Sequence, residues 1–368
     1  MNEIAIIGLG RLGICLALNL ERAGYKVTGY DISDERILAI NAKNLISTEP
    51  HVEDYLKASQ NFKCTTDIYQ LLSSTIEIIF IVVPTPSLPD HQFSHKAIDE
   101  VIDRLQKHGI QQMKKHLIIN STVMPGYCDS IKKRMEALNY TVSYNPEFIA
   151  QGSIIHDQQY PDQILIGETE SSSGDKLEII YKRLCKNQPR VCRMSLISAE
   201  ITKLATNCFL TTKIAFANAI GDIAFQAGAE PQKILESIGA DSRIGNKYFK
   251  YGFGYGGPCF PRDNKAFVQF AKRSNYNMLL SEATDKANEQ HADFLADSWK
   301  NQNSKEQEII FDSVTYKKGT DILEESQQLK LAVSLAKLGY KIVIMESKEV
   351  VMELRQLYAD LFVYKINE

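Results

Sequence analysis

Short apolar runs and segments of helical spacing alternate along the first half of the chain. Ile4–Ile7 is β-branched and continuous, the pattern of a buried parallel strand. The spacing over Leu12–Ala23 predicts a helix that Gly24 stops, and Lys26–Tyr30 predicts a second strand ending at Asp31. Ile76–Val83, Leu117–Asn120 and Thr141–Tyr144 predict three more strands. Their ends carry Pro84-Thr85-Pro86, Ser121-Thr122 and Asn145-Pro146-Glu147. Ile164–Gly167 and Leu177–Cys185 predict a closing strand and helix. From Ser198 to Ala227 the pattern is one proline-free helix. Its length exceeds the usual globular helix, so it links domains or forms a subunit interface. Helices are expected over Gln232–Ile238, Lys265–Lys272 and beyond Glu282. The polar run Asn301–Lys305 reads as a linker. After it come strands over Glu308–Thr315 and Lys341–Met345, with a helix over Glu325–Leu338.

These elements predict an α/β protein in three parts. A Rossmann-type dinucleotide-binding domain fills 1–195, a central helical region 196–298, and a smaller α/β domain 299–368. Composition agrees with two or three globular domains in 368 residues. A net charge of −3 without basic blocks leaves no footprint for nucleic acid. The seven cysteines form no C-x-x-C pair, which argues against a disulfide framework or a structural zinc and for a reducing compartment. The N-terminus runs straight into a strand pattern, and the longest apolar run, Ile76–Pro84, is too short for a membrane. A cytoplasmic protein is expected, with no metal and no membrane partner.

Candidate chemistry concentrates in two places. Gly8-Leu9-Gly10-Arg11-Leu12-Gly13 follows the first strand and opens the first helix, and Asp31 lies 18 residues after Gly13. Bare backbone at a helix N-terminus receives a pyrophosphate, and an acid at that distance accepts from ribose hydroxyls. The carboxylate favours NAD over NADP, with Arg36 near enough in sequence to offset it. The strand ends add Thr85, Thr122 and Glu147. The second place is 252–264, Gly-Phe-Gly-Tyr-Gly-Gly-Pro-Cys-Phe-Pro-Arg-Asp-Asn. A flexible cradle, the thiol of Cys259 between two prolines, and Asp263 suit covalent chemistry on a carbonyl. Lys203 and Asn207 are four apart and share a face of the long helix.

Together these segments resemble the UDP-glucose 6-dehydrogenase branch of the nucleotide-sugar dehydrogenases. The resemblance covers roughly residues 1–298. It rests on Asp241-Ser242-Arg243-Ile244-Gly245 with Tyr248, the cysteine segment, Asn145-Pro146-Glu147-Phe148, the helix bearing Glu200, Lys203 and Asn207, and Pro84-Thr85-Pro86 with Ser121-Thr122-Val123. It implies a four-electron oxidation of a C6 primary alcohol to a carboxylate with two NAD. Cys259 would attack the aldehyde to give a thiohemiacetal and then a thioester. Lys203 and Asn207 would stabilise the developing alkoxide. Asp263 and Thr122, with Glu147, would hold and activate water. Thr85, Thr122 and Arg262 would join the cofactor site. Glu147, Phe148, Lys203, Asn207, Arg243, Tyr248, Gly256 and Lys317 would contact the nucleotide sugar, Arg243 from the partner of a homodimer.

Four positions depart from that pattern, one of them Gln327, where the family's serine-proline is Ser326-Gln327 here. Gln151 stands where the family has an acid. Ile322 and Glu324 stand where a second acid and an arginine are expected in the C-terminal segment that begins at Tyr316-Lys317. A carboxylate in place of an arginine weakens a diphosphate site. Another nucleotide-linked hexose, such as a UDP-N-acetylhexosamine or GDP-mannose, therefore stays open as the substrate. So do a hydroxyacid dehydrogenase, which needs no thiol, and a relative that binds nucleotide without turnover.

Overall fold

The computed structural model describes residues 3–72, 75–302 and 304–367. Two compact units divide after Lys203.

Among the described residues the first unit carries eight strands, β1 (Glu3–Ile7), β2 (Lys26–Tyr30), β3 (Phe62–Thr65), β4 (Ile76–Ile81), β5 (Lys115–Ile119), β6 (Tyr140–Tyr144), β7 (Gln163–Glu168) and β8 (Arg190–Met194). Their spatial order is β3-β2-β1-β4-β5-β6-β7-β8. Every neighbouring pair is parallel except β6 with β7. Apart from Glu3 and Glu77, β1 and β4 are apolar on both faces because helices cover both sides. Ile4, Ile6 and Phe80 face one core, and Ala5, Ile7, Ile79 and Ile81 face the other. The chain winds outward from β1 to β3, then returns to β4 and winds the opposite way. That reversal sets a switch point between the carboxyl ends of β1 and β4, where doubly wound sheets take their ligands. The Rossmann-type expectation holds. β3 and β8 escaped the sequence pattern because Phe62–Thr65 is only four residues and Arg190–Met194, at the sheet edge, sets its two arginines three apart, off the strand period of two.

The long helix runs over Leu196–Gln226, within two residues of its predicted ends. Among the described residues it is also the one helix long and apolar enough to cross a bilayer by length and composition, with a mean hydropathy of 1.3. Helical spacing had split the apolar residues of Leu196–Gln226 among polar ones. Several of those polar residues, Glu200, Lys203, Asn207, Thr211 and Asn218, are buried with partners inside the fold.

The second unit continues with helices Pro231–Gly239, Phe260–Arg273 and Leu279–Gln302. The last of these runs into the predicted linker, whose Asn303 lies outside the described residues. A parallel three-stranded sheet follows, β9 (Glu308–Phe311), β10 (Lys341–Glu346) and β11 (Val363–Ile366), in the order β11-β10-β9. Trp299 stacks on Phe311 at 5.3 Å between ring centroids, which ties helix Leu279–Gln302 to this sheet.

Candidate active site

The loop after β1 is shaped by close approach. A Cβ at Gly8 would lie 2.3 Å from the Val82 carbonyl oxygen, and one at Gly13 would lie 1.9 Å from that of Gly8. Gly10 is different. A Cβ there meets nothing within 4 Å, and Gly10 caps helix Arg11–Arg22, whose first turn carries no acid. Bare amides and a positive helix end, open on one side, fit a pyrophosphate. Asp31 is pinned beside them, its carboxylate accepting from the Leu9 amide at 2.8 Å and the Ser33 amide at 3.0 Å. Arg36 donates to the Leu9 carbonyl at 3.0 Å, so its guanidinium is tied to the loop backbone. At the strand ends Thr85 Oγ1 donates to the Thr122 carbonyl at 2.7 Å, and Ser121 Oγ donates to that of Val83 at 2.7 Å. Thr85 thus fastens the turn that presents Thr122.

Glu147 sits beyond β6, and its carboxyl is enclosed although the residue keeps some exposed surface. Burial pushes its pKa up to about 7, against the opposing pull of the Asn120 amide and the Lys203 ammonium. Lys203 Nζ donates to the Glu147 carbonyl oxygen at 2.7 Å and lies 4.5 Å from the centre of the Phe148 ring. A cavity of about 10 Å³, room for roughly one water, adjoins Glu147, Asp157, Gln158 and Tyr181. Glu200, one turn before Lys203, spends both oxygens on the amides of Gly126 and Cys128, at 2.6 and 2.8 Å. It caps helix Tyr127–Met135.

In the second unit Cys259 is the N-cap of helix Phe260–Arg273 and is exposed. The helix end places partial positive charge beside the sulfur. The other six cysteines are buried or half-buried. Asp263 is 1 % exposed, and its carboxylate accepts from Asn207 Nδ2 at 2.6 Å and from Arg262 Nε at 3.2 Å. Two glycines of the cradle are steric requirements. A Cβ at Gly256 would lie 2.2 Å from the Glu325 carbonyl oxygen, and one at Gly257, φ +78°, 2.4 Å from the Tyr316 ring.

Residues 2–185 match the NAD binding domain, and residues 197–290 the central domain, of the UDP-glucose/GDP-mannose dehydrogenase family. The chain belongs to this family. The matched NAD binding domain includes the Gly8–Gly13 loop and Asp31, and membership implies NAD as cofactor and a nucleotide sugar as substrate. A UDP-glucose 6-dehydrogenase of Rickettsia typhi is 30% identical over 346 residues, 90% of this chain and 78% of that protein. A UDP-glucose dehydrogenase of Pyrobaculum islandicum superposes with a TM-score of 0.89 at 26% identity, covering 100% of this chain and 86% of the other. A GDP-mannose dehydrogenase of Pseudomonas aeruginosa superposes with a TM-score of 0.61 at 26% identity, covering 99% and 88%.

Within this nucleotide-sugar dehydrogenase, the sequence-predicted residues divide by location. Lys203, Glu147 and Phe148 meet in one cluster, and Asn207, Asp263 and Arg262 in another. Tyr248 holds φ +58° and sets its ring edge-on to Phe260, next to the thiol, at 6.0 Å. Arg243 stands apart on an exposed turn, its side chain 87% exposed and paired with Asp241 at 2.7 Å. Lys317 and Glu324 are exposed, and Ile322 accepts the Tyr316 amide through its carbonyl at 2.9 Å. Gln151 accepts from Arg11 Nη1 at 3.1 Å, so it joins the dinucleotide loop to the turn after Phe148. Sequence reading missed Asn120, Gln158 and the buried Glu49. Glu49 accepts from the amides of Gly152 and Ile154 at 2.7 and 3.3 Å and holds that same turn. No motif marks these three. Their roles arise from contacts with residues far along the chain.

Proposed function

We propose that this family member oxidises the C6 alcohol of a UDP-hexose, UDP-glucose first among them, to the carboxylate through a covalent adduct on Cys259. The observation that carries this reading is the single exposed thiol among the described cysteines, set at a helix N-terminus in a glycine cradle. NAD, when bound, accepts the hydride at each of the two oxidations. Cys259 sulfur adds to the aldehyde carbon, and the resulting hemithioacetal is oxidised to a thioester that water cleaves. Lys203 and Asn207 donate to the oxygen on which charge develops. Glu147, poised near neutral pH, takes the proton. Asp263, with both oxygens engaged, serves to orient the Asn207 amide. Thr122, Phe148, Tyr248, Gly256, Arg262 and Lys317 complete the cofactor and substrate contacts.

The test is NADH yield on UDP-glucose, a UDP-N-acetylhexosamine and GDP-mannose. Two NADH per UDP-glucose, with uronate as product, is the expected result. Two NADH per molecule on another sugar alone would reassign the substrate. One per sugar would favour an alcohol dehydrogenase without a thiol step.

A homodimer is part of the same reading. Phe209, Phe216 and Ile223 repeat every seven residues along helix Leu196–Gln226 and are all exposed. Burial against a second copy accounts for such a stripe, and it would let Arg243 reach the partner's site. Light scattering is expected to give the mass of a dimer. A monomer at micromolar concentration would remove this part of the proposal.

A further inference from the structure

We propose that Asn218, Asn288 and His291 are positioning residues that hold the backbone of 252–255 and thereby set the reach of Cys259. The inference rests on the covalent reading above.

Three buried side chains grip this loop by its main chain. Asn288 accepts from the Tyr255 amide at 2.9 Å and donates to the Tyr255 carbonyl at 3.1 Å, a two-point clasp like a rung of sheet. Asn218 accepts from the Gly252 amide at 3.1 Å and donates to the Phe253 carbonyl at 3.3 Å. His291 Nε2 lies 2.6 Å from the Gly252 carbonyl oxygen. A carbonyl only accepts, so that nitrogen carries a proton. The other ring nitrogen faces the Asp222 carboxylate at 2.9 Å, and Asp222 also accepts from Tyr251 Oη at 2.9 Å. The acid thus orients the ring that orients the loop. Asn218, Asn288 and His291 are 1 %, 7 % and 2 % exposed.

Packing alone does not hold this segment. Phe253, Gly254 and Tyr255 border a cavity of about 340 Å³ that is also lined by Lys265, Asp285 and Glu289. Gly254 is glycine because a Cβ there would lie 2.3 Å from Asn288 Oδ1, so the clasp and the residue that admits it go together. From Tyr255 the chain passes through Gly256 and Gly257, wedged against Glu325 and Tyr316, to Cys259. Each tie that is lost frees the segment leading to the sulfur.

Asn288→Ala tests this in two ways. Amide exchange in 252–257 is expected to rise about tenfold while the central helix keeps its protection. With UDP-glucose as probe, NADH per sugar is expected to fall from two towards one, with free aldehyde trapped by hydroxylamine. A merely destabilised fold would lower both oxidations together. His291→Gln keeps a donor for the Gly252 carbonyl and is expected to retain more of the second step than His291→Leu. This pair supplies the comparison if Asn288→Ala fails to fold. Unchanged exchange in the loop, or faster exchange with two NADH still formed, would overturn the proposal. Failure of the covalent reading looks different. Cys259→Ser would then still form two NADH, whatever the loop's exchange.

Discussion

Replacing Cys259 by serine is expected to leave NADH binding intact and to cut uronate formation by about a thousandfold or more, the scale on which removing a nucleophile acts. A serine hydroxyl is a weak nucleophile at neutral pH without a strong base beside it, and the thiolate it replaces is a strong one. The first oxidation needs no sulfur. The variant should therefore release aldehyde, seen as a hydroxylamine adduct, and form at most one NADH per sugar. The thiol sits at the N-terminus of a 14-residue helix, so its loss removes the group but not the field around it. Two NADH per sugar at the normal rate in this variant would end the covalent reading.

The second large effect is expected at Glu147. Its carboxyl is enclosed, and burial raises its pKa to about 7. If it takes the proton, kcat/KM for UDP-glucose rises with pH up to about 7 and then levels, because that ratio reports the free enzyme. Glu147→Gln should erase this limb and lower the rate by about 10²–10⁴-fold. The stability effect has the opposite sign. The folded pKa lies above the ordinary carboxylate value of 4.5, so protonation favours the fold. That contribution is complete below pH 4.5 and is lost as pH rises through 7, where a buried charge must be carried. At pH 8 the glutamine variant should therefore melt at or above the Tm of the parent. A variant that keeps the acid limb, or that melts well below the parent at pH 8, would remove Glu147 from the role of base.

The altered C-terminal segment bears on both results. Glu324 is exposed where the family pattern has an arginine, and Lys317 lies on an exposed turn. A carboxylate in place of an arginine is expected to weaken the hold on the substrate's diphosphate. A raised KM with a normal kcat is the expected signature of that change.

The amino-acid sequence alone was enough for the sheet-and-helix alternation, the long helix to within two residues, the dinucleotide loop with Asp31, and the cysteine segment. All of these are local. Apolar period, glycine spacing and an acid at a set distance are written within a few dozen residues, and a strand or helix obeys them wherever it packs. Three short edge strands, β3, β8 and β11, were beyond that reach, because four or five residues carry too little period. Tertiary structure alone decided what each polar side chain does. Thr85, legible as a site residue, spends its hydroxyl on the Thr122 carbonyl, and Gln151, legible as a departure, meets Arg11 across 140 positions. Asn288 and His291 read as ordinary helix polarity until the fold brings them to a loop more than 30 positions earlier. The raised pKa of Glu147 likewise exists only once the fold encloses its carboxyl, against the opposing pull of Asn120, Lys203 and Gln158. Hydrogen bonds and burial join residues that are distant along the chain, and no local pattern records them.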